Sequence, residues 1–397
     1  MASRTKVLPD LLLVLAFSSF ALADGPRVQL GIDVLAGQQF QLLRGKRVGL
    51  VTNQTGVDGR GTRTRVVLKR HVDLVALYTP EHGLDGTELA GKYVATRRDP
   101  LTGLLAHSLY GPTRKPTPAM LKGVDVLVFD LQDIGCRCYT YISTMIKCME
   151  AAGEARIPFV VLDRPNPLGG LRVEGPPMEA RWISFIGQVP TPYVPGLTAG
   201  EIARMANALG WASPRCDLRV VRMKGWRRDM VWDDTELGWV KPSPNIPRAD
   251  TPAYYVATGM LGELKGIEGG CGGPTPFEII AAKGLESRSF TAKMSSLGLP
   301  GVRFSPYERM GARLTIDPRT PANLTGLNIH GLAAVYRGAP NVFKRSRGSH
   351  LELFFKAYGS ASIRRQIERG VPAHRIIDGW TPSVARFRVA RQPFLLY

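Results

Sequence analysis

The sequence predicts an α/β protein: a Rossmann-like, mostly parallel sheet with helices on both faces, followed by a smaller mixed α/β C-terminal domain. Two observations predict this fold. Unbroken apolar segments of strand length alternate with segments of helical spacing through the first half of the chain, which is typical of a parallel sheet covered on both faces. A proline-rich segment, Trp239–Tyr255, then precedes a remainder in which strands and helices are mixed.

Four continuous apolar segments that end in polar residues are predicted strands. They are Arg47–Asn53, Asp73–Pro80, Val124–Asp133 and Ile157–Pro167. The segments with helical spacing are Thr62–His71 and Tyr139–Arg156. A further helix is predicted to begin at Thr117, a favoured N-cap residue that is followed by Pro118. Thr198 and Glu201 have the spacing of a capping box, so we expect Glu201 to have a structural role.

Residues 1–23 have the pattern of a secretory signal peptide. Arg4 and Lys6 precede the apolar run LLLVLAFSSFA, and the small-residue sequence ALA ends at Ala23. The alternative is an uncleaved anchor, but the apolar run is short for a bilayer span, and no later segment is apolar enough to form one. The pattern therefore predicts cleavage after Ala23 and a mature protein that is secreted or periplasmic.

The rest of the chain is divided at the proline-rich segment, near Lys241. Residues 24–240 are predicted to form the Rossmann-like N-terminal domain, and residues 241–397 the smaller α+β C-terminal domain. The length of 397 residues suits two domains.

The formal net charge of +19 bears on the partners of the protein. Such a charge favours polyanions such as cell-wall polymers, lipid head groups or nucleic acid. No nucleic-acid-binding motif occurs in the sequence, so nucleic acid is not an expected partner. The alternative is that the charge serves solubility alone.

Motifs for cofactors and metals are missing from the sequence. The first strand is followed by TNQTGVDGRG, which has neither a G-x-G-x-x-G nor a P-loop pattern. No H-E-x-x-H and no G-x-S-x-G occurs, which argues against a metal hydrolase and a serine hydrolase. Cys136 and Cys138 lack a second pair at metal spacing, so the five cysteines are expected to be buried free thiols. We expect no cofactor and no metal.

Polar side chains follow each of the four predicted strands. They are Asn53; Glu81 and His82; Gln132 and Asp133; and Asp163, Arg164 and Asn166. Because ligands bind beyond the carboxyl ends of parallel strands, we expect a site at this edge of the sheet. The alternative for each residue is a helix cap or a turn. We expect Glu81, Asp133, Asp163 and Glu174 to line one cleft, since Glu174 stands shortly after the fourth strand.

Carboxylates are the reactive groups that remain. They are Glu81, Asp133, Asp163, Glu174, Glu263 and Glu268. Glycoside hydrolysis uses two carboxyl groups: one protonates the leaving oxygen, and the other attacks the sugar or activates water, although the substrate's acetamido group sometimes replaces the second. Arg137, Arg164 and Asn166 are suited to binding a substrate carboxylate or acetamido group. Tyr139 and Tyr141 are suited to a sugar-binding wall, with core packing at the start of the helix as the alternative.

Seven motifs, in a fixed order, carry a resemblance to a known family. They are GKRVGLVTNQTGVD, YTPEHGLDG, LYGPTRKPTPAMLKGVDVLVFDLQDIG, RCYTYISTM, IPFVVLDRPNPLGG, VEGP and PSPNIP. In these motifs the sequence resembles the NamZ-type exo-β-N-acetylmuramidase family, formerly a domain-of-unknown-function family. The similarity runs from about Gln29 to Pro247 and continues weakly to the C-terminus.

The resemblance implies an active site in the cleft that the C-terminal domain closes. It also implies release of terminal N-acetylmuramic acid from peptidoglycan fragments without a metal or a nucleotide. Glu81 becomes the strongest catalytic candidate, and we hypothesise that it is a general acid held between Pro80 and Gly83. Asp133 and Glu174 compete for the second catalytic role. The candidate substrate-binding residues are Asn53, His82, Gln132, Arg137, Tyr139, Asp163, Arg164, Asn166, Glu263 and Glu268.

Two segments depart from the family pattern. Pro195, in YVPGLT, stands where a basic residue or a histidine is expected. In the loop Gly269–Gly273, Gly270 stands where an arginine is expected, although Glu268 is kept. The retained carboxylates favour an enzyme, whereas the altered loop favours the alternative, a cell-wall-binding or scaffold protein that has lost turnover.

Overall fold

The structure is a computed structural model that describes residues 28–397, so the predicted signal peptide, residues 1–23, lies outside the described residues. In the described chain the larger sheet has seven strands: β1 (Arg47–Thr52), β2 (Asp73–Thr79), β3 (Arg97–Arg98), β4 (Leu105–Ser108), β5 (Val126–Asp130), β6 (Phe159–Leu162) and β7 (Leu218–Val221). Their spatial order is β3-β4-β2-β1-β5-β6-β7, and only the β3–β4 pair is antiparallel. The Rossmann-like, mostly parallel sheet is confirmed.

Helices cover both faces of this sheet. They are α1 (Gly31–Gly37), α2 (Thr64–His71), α3 (Thr140–Ala155) and α4 (Ala199–Leu209). Alternate residues of β5 point to opposite faces: Val126 and Val128 join the core beneath α1 and α2, whereas Leu127 and Phe129 join the core beneath α3 and α4. A strand buried on both sides must be apolar throughout, which explains the continuous apolar runs in the sequence.

The smaller sheet is antiparallel and lies in the second half of the chain. Its strands in the described chain are β8 (Ile267–Glu268), β9 (Ile279–Ala282), β10 (Val302–Tyr307) and β11 (Gly311–Ile316), in the spatial order β10-β11-β9-β8. The accompanying helices are α5 (Thr251–Thr258), α6 (Ser287–Ser295), α7 (Leu324–Gly338), α8 (Val342–Arg345), α9 (Ser349–Tyr358), α10 (Ser362–Glu368), α11 (Ala373–Asp378) and α12 (Thr381–Ala390). Within residues 28–397, no helix combines the length and the apolar character needed to span a bilayer.

The helix predicted after Thr117 is wrong. The amide of Leu121 donates to the carbonyl of Thr117 at 3.1 Å, so a single helical turn forms, but residues 118–123 are turns and not a helix. Gly123, with a φ of 82°, adopts the left-handed conformation that ends the turn before β5. Strands β3, β4 and β7, with two to four residues each, were not predicted because such short segments show no clear periodicity.

The predicted domain boundary near Lys241 falls within residues 236–250, which contain no helix or strand. The division into residues 24–240 and 241–397 stays a prediction.

The capping box at the start of α4 is present, because Thr198 Oγ1 accepts from the Glu201 amide at 3.2 Å and Glu201 Oε2 accepts from the Thr198 amide at 3.0 Å.

A buried arginine fastens the end of the chain to the larger domain. After α12, the guanidinium of Arg391 donates to the carbonyl oxygens of Gly170, Pro195 and Gly196 at 2.7–3.0 Å. Pro195, one of the two departures from the family pattern, therefore contributes its carbonyl to this contact between domains. Three carbonyl acceptors offset part of the cost of burying the cation.

The C-terminal residues continue this contact as far as α4. The amide of Leu396 donates to Glu201 Oε1 at 2.9 Å. The hydroxyl of Tyr397 donates to Asp163 Oδ2 at 2.8 Å and accepts from the amide of Met223 at 2.8 Å. One tyrosine hydroxyl therefore connects the chain end to residues that follow β6 and β7.

We predict that Tyr397→Phe lowers the free energy of unfolding by about 1–3 kcal/mol, because it leaves the buried Met223 amide and Asp163 without this partner. Denaturant unfolding of the two proteins measures the difference. The control is Tyr336→Phe, since the Tyr336 ring packs on Phe343 and its hydroxyl has no hydrogen-bond partner in residues 28–397. Equal stability of Tyr397→Phe and the wild type would contradict the anchoring role.

Candidate active site

A cavity of about 420 Å³ lies between the carboxyl end of β2 and the C-terminal domain. Its volume is in the range of small-molecule sites, about 300–1,000 Å³. The residues that line it are Glu81, His82, Ala90, Gly91, Tyr110, Cys138, Tyr139, Thr140, Ile186, Ser243, Asn245, Ile246, Tyr255, Gly259, Gly262, Glu263, Cys271, Phe277, Leu353 and Ala357. A larger cavity of about 710 Å³, between α1 and β7, has no carboxylate in its wall. A third cavity, of about 440 Å³, has Glu174 in its wall. The first cavity, here called the interdomain cavity, differs from both in having carboxyl groups from the two halves of the chain, Glu81 and Glu263.

Glu81 stands on a tight turn directly after β2. The amide of Gly83 donates to the carbonyl of Pro80 at 3.1 Å, and His82 and Gly83 both have left-handed φ angles of 71° and 76°. The Glu81 carboxylate is largely buried, and both of its oxygens accept hydrogen bonds. Oε1 accepts from the Gly91 amide at 2.7 Å, and Oε2 accepts from the Thr140 hydroxyl at 2.6 Å. The turn and these two donors fix the carboxylate at the cavity wall.

His82 lines the same wall in a strained backbone conformation. Its φ of 71° is uncommon for a residue with a side chain. The ring Nδ1 lies 2.7 Å from the carbonyl oxygen of Glu88, so Nδ1–H donates to it. The other ring nitrogen, Nε2, has no hydrogen bond within residues 28–397. A strained residue beside a catalytic candidate is typical of functional sites.

Aromatic rings form the opposite part of the cavity wall. The ring centroids of Tyr139 and Tyr255 are 6.4 Å apart, and those of Tyr255 and Phe277 are 4.9 Å apart. Tyr110 lies beside Glu81, and burial together with the Glu81 charge raises the pKa of the Tyr110 phenol. Rings of this kind give a sugar an apolar face together with polar edges.

Glu263 reaches the interdomain cavity from the C-terminal domain, where the 3₁₀ helix Gly259–Glu263 follows α5. Burial raises the pKa of its carboxyl to about 7. Cys271 lines the cavity near it, and burial and the Glu263 charge raise the pKa of the Cys271 thiol to about 11. The cavity thus has one carboxyl group from each domain.

Two family models match the chain: exo-beta-N-acetylmuramidase NamZ, N-terminal, over residues 48–250, and exo-beta-N-acetylmuramidase NamZ, C-terminal, over residues 253–397. The chain belongs to the NamZ exo-β-N-acetylmuramidase family. The peptidoglycan beta-N-acetylmuramidase NamZ of Bacillus subtilis (strain 168) is 41% identical over 392 residues, which cover 94% of this chain and 92% of that protein. The resemblance seen in the sequence is confirmed.

Two crystal structures of DUF1343 family proteins from Bacteroides fragilis NCTC 9343 are similar to this chain. The first has a TM-score of 0.86 and 41% identity, and covers 94% of this chain and 99% of its own. The second has a TM-score of 0.71 and 27% identity, and covers 93% of this chain and 99% of its own. The fold class predicted from the sequence agrees with both.

Asp133 and its neighbours lie behind the wall of the interdomain cavity and do not line it. Asp133 Oδ2 accepts from the Gly135 amide at 2.7 Å, Oδ1 is enclosed without a hydrogen-bond partner in the described chain, and burial raises the pKa of this carboxyl to about 7. Gln132 donates to two carbonyls, those of Asp133 and Pro165, at 2.8 Å. Asn53 donates to the hydroxyl of Tyr141 at 2.8 Å.

The expectation that four carboxylates line one cleft is wrong for Asp133, Asp163 and Glu174, since only Glu81 of the four lines the interdomain cavity. Asp163 is enclosed and accepts from the Thr198 hydroxyl at 2.7 Å and the Gly200 amide at 2.8 Å, at the start of α4. Glu174 pairs with Arg172 and accepts from the Thr325 amide at 3.0 Å. Glu174 lines a separate cavity of about 440 Å³. Its contact with an amide in the first turn of α7 is a helix-capping contact.

Strand order explains why Asp163 is far from Glu81. Strand β6, which precedes Asp163, lies three positions from β2 in the sheet. Adjacent strands are about 4.8 Å apart, so the two strand ends are separated by roughly 14 Å. The sequence indicated which residues follow strands but not which strands are neighbours.

Four other predicted substrate-binding residues also lie outside the interdomain cavity, namely Arg137, Arg164, Asn166 and Glu268. The Arg164 guanidinium pairs with Asp130 at 2.5 and 3.0 Å, buried beneath the sheet edge. Asn166 donates to the carbonyl of Leu197 at 3.0 Å, and Glu268 is exposed on β8. Of the predicted residues, Glu81, His82, Tyr139 and Glu263 are brought together.

Thr140 and Gly91, which hold Glu81, were not singled out from the sequence. Thr140 directly follows Tyr139 in the motif RCYTYISTM, and its position at the start of α3 was the available signal. Gly91 belongs to a loop without periodicity. It holds Glu81 through its backbone amide, which almost every residue type has, so the residue type does not indicate this role. The hydroxyl of Thr140 was detectable, whereas the amide of Gly91 was not.

The altered loop Gly269–Gly273 has a conformation that requires glycine. Gly270 has a φ of 80°, and a Cβ atom there would lie 2.4 Å from the carbonyl oxygen of Thr275. An arginine at this position would need a different loop. The expectation that all five cysteines are buried is wrong for Cys271, which is exposed in this loop. In residues 28–397, no cluster of three or more His, Cys, Asp or Glu side chains could hold a metal ion.

Proposed function

We propose that this protein is an exo-acting glycoside hydrolase that releases terminal N-acetylmuramic acid from peptidoglycan fragments. The observation that carries the proposal is the pair of carboxyl groups, Glu81 and Glu263, that line one cavity from two domains. The name of the Bacillus subtilis relative supports the substrate class.

The environments of the two carboxyl groups suit different roles. Partial burial raises the pKa of the Glu263 carboxyl to about 7, so a large fraction is protonated at neutral pH and can protonate the leaving oxygen. Both oxygens of Glu81 already accept hydrogen bonds, which suits a carboxylate that attacks the sugar or activates water. This assignment moves the general-acid role from Glu81 to Glu263.

The retained alternative is a cell-wall-binding protein without turnover, which the glycine-dependent loop around Gly270 favours. Such a protein would bind N-acetylmuramic acid but release no product from any muramide. Incubating the purified protein with a chromogenic β-N-acetylmuramide separates the two functions. Turnover supports the glycosidase, and binding without turnover supports the alternative.

We predict that Glu81→Gln lowers kcat by about two to four orders of magnitude on 4-nitrophenyl β-N-acetylmuramide, because it removes the reacting carboxylate. Steady-state kinetics measures the effect, and thermal melts check folding. Asp133→Asn and Glu174→Gln are compared in the same assay. We expect Glu174→Gln to lower stability and to leave kcat nearly unchanged. Near-normal kcat in Glu81→Gln, with loss in another variant, would contradict the role of Glu81.

The same assay tests metal independence, which we also propose. We expect EDTA to leave turnover of the wild-type protein unchanged. Loss of turnover with EDTA that a single divalent ion restores would contradict it.

We predict that Glu263→Gln is selective for the leaving group. A nitrophenolate needs little protonation, whereas a sugar leaving group does, so hydrolysis of the disaccharide MurNAc-GlcNAc should fall about 10²–10⁴-fold while the nitrophenyl substrate changes little. In the wild type, activity on the disaccharide should decline above pH 7, as the carboxyl with a pKa of about 7 loses its proton. Glu263→Gln should lack this decline. Equal loss on both substrates would refute the general-acid role.

The control for Glu263→Gln is Glu268→Gln. Glu268 is exposed on β8 and does not line the interdomain cavity. We expect its kinetics and pH profile to match those of the wild type.

We further propose that the protein is exported and that its signal peptide is removed after Ala23. The support is the pattern of Arg4, Lys6, the apolar run and the ALA sequence. N-terminal sequencing of the exported protein should begin at Asp24. An intact N-terminus on membrane-bound protein would contradict cleavage.

A further inference from the structure

The wall of the interdomain cavity contains no arginine or lysine, although the protein has a net charge of +19. The acidic groups that the described chain places there are the carboxyls of Glu81 and Glu263. N-acetylmuramic acid differs from N-acetylglucosamine by an acidic lactyl group. A carboxylate brought beside two other carboxyl groups would be repelled unless a cation lies within reach.

Arg114 is a cation that packs directly on a wall residue of this cavity, Tyr110. Its guanidinium carbon lies 4.9 Å from the ring centroid of Tyr110 and 4.4 Å from that of Phe185. Tyr110 lines the cavity beside Glu81, and Phe185 precedes Ile186, which lines it from another side. The rings of Tyr110 and Phe185 are 6.0 Å apart, so both hold the same guanidinium beside the cavity wall.

The hydrogen-bond donors of Arg114 have no protein acceptor in the described part of the chain. In residues 28–397, no carboxylate pairs with Arg114, whereas the adjacent Lys115 pairs with Glu154 at 2.7 Å. Contacts with ring faces stabilise the cation but leave its N–H edges open. The side chain itself is exposed to solvent. A guanidinium that is ordered, accessible and unpaired is suited to a planar carboxylate, which it binds through two parallel hydrogen bonds.

We propose that Arg114 binds the lactyl carboxylate of the terminal N-acetylmuramic acid and thereby selects this sugar over N-acetylglucosamine. The inference rests on the proposed function. It assigns the acid-recognising group to the segment TRKPT, between β4 and β5, and not to the glycine loop at Gly270. Arg114 is then a specificity residue that acts outside the two reacting carboxyls.

The test compares two chromogenic substrates that differ in the lactyl group, 4-nitrophenyl β-N-acetylmuramide and 4-nitrophenyl β-N-acetylglucosaminide. We expect Arg114→Met to lower kcat/KM on the muramide about 10- to 100-fold, the usual range for a hydrogen bond to a charged group, and to leave the glucosaminide unchanged. The kcat/KM of Arg114→Lys on the muramide should lie between those of the wild type and Arg114→Met, because lysine keeps the positive charge but cannot donate two parallel hydrogen bonds. A muramide whose lactyl carboxyl is a methylamide should respond to Arg114→Met as the glucosaminide does.

The matched control is Arg313→Met. Arg313 lies 5.8 Å from the ring centroid of Tyr307 in the smaller sheet and is also exposed. We expect no change with either substrate. Calorimetric binding of free N-acetylmuramic acid and free N-acetylglucosamine gives a second readout. Arg114→Met should weaken the binding of N-acetylmuramic acid and leave that of N-acetylglucosamine unchanged.

The possible outcomes separate this inference from the proposed function. If the wild type hydrolyses neither substrate and binds neither sugar, the proposed function fails. If the wild type cleaves the muramide and Arg114→Met does so equally well, the proposed function stands and the role of Arg114 is refuted. Equal loss on the muramide and the glucosaminide would also refute it, because Arg114 would then act by supporting Tyr110.

Discussion

The carboxylate of Glu81 accepts hydrogen bonds from the Gly91 amide and the Thr140 hydroxyl, and this contact joins three separate parts of the larger domain. The end of β2 supplies the carboxylate, the following loop supplies the amide, and the start of α3 supplies the hydroxyl. A buried carboxylate without such donors is strongly destabilising, so the loop and the helix must close around it. The position of Tyr139, next to Thr140, follows from the same constraint.

Buried arginines that bind carbonyl oxygens fix the second domain against the first. Arg137 donates to the carbonyl of Thr191 at 2.6 Å within the larger domain and to that of Ala357, in α9, at 3.2 Å. Arg391, which follows α12 in the second domain, donates to carbonyl oxygens of the larger domain. Burial lowers the pKa of both guanidinium groups, to about 10 for Arg391. Because carbonyls carry no charge, geometry and not charge pairing determines these contacts, and Ala357 itself lines the cavity.

The sequence was sufficient for four of the parallel strands and for the turn that presents Glu81, but not for the short strands β3, β4 and β7 or for the composition of the site. Continuous apolar runs identify parallel strands, and Pro80 with Gly83 marks the turn that presents Glu81. The spatial order of the strands has no signal in the local sequence. Asp163 was therefore grouped with Glu81, although their strands, β6 and β2, lie three positions apart in the sheet. The partner of Glu174 is an amide 151 residues away, which no local pattern reveals. Glu263 was named as a substrate-binding carboxylate, and only the closure of the two domains brings it opposite Glu81.

The thiol of Cys271 lines the cavity in the glycine loop, and its raised pKa has a consequence for the chemical durability of the protein. Thiolates, and not thiols, react rapidly with oxidants and alkylating agents. With a pKa of about 11, Cys271 is almost wholly protonated at neutral pH and reacts slowly despite its exposure. The other four cysteines are buried. At neutral pH, Cys271 should therefore be modified only slowly by alkylating agents that enter the cavity.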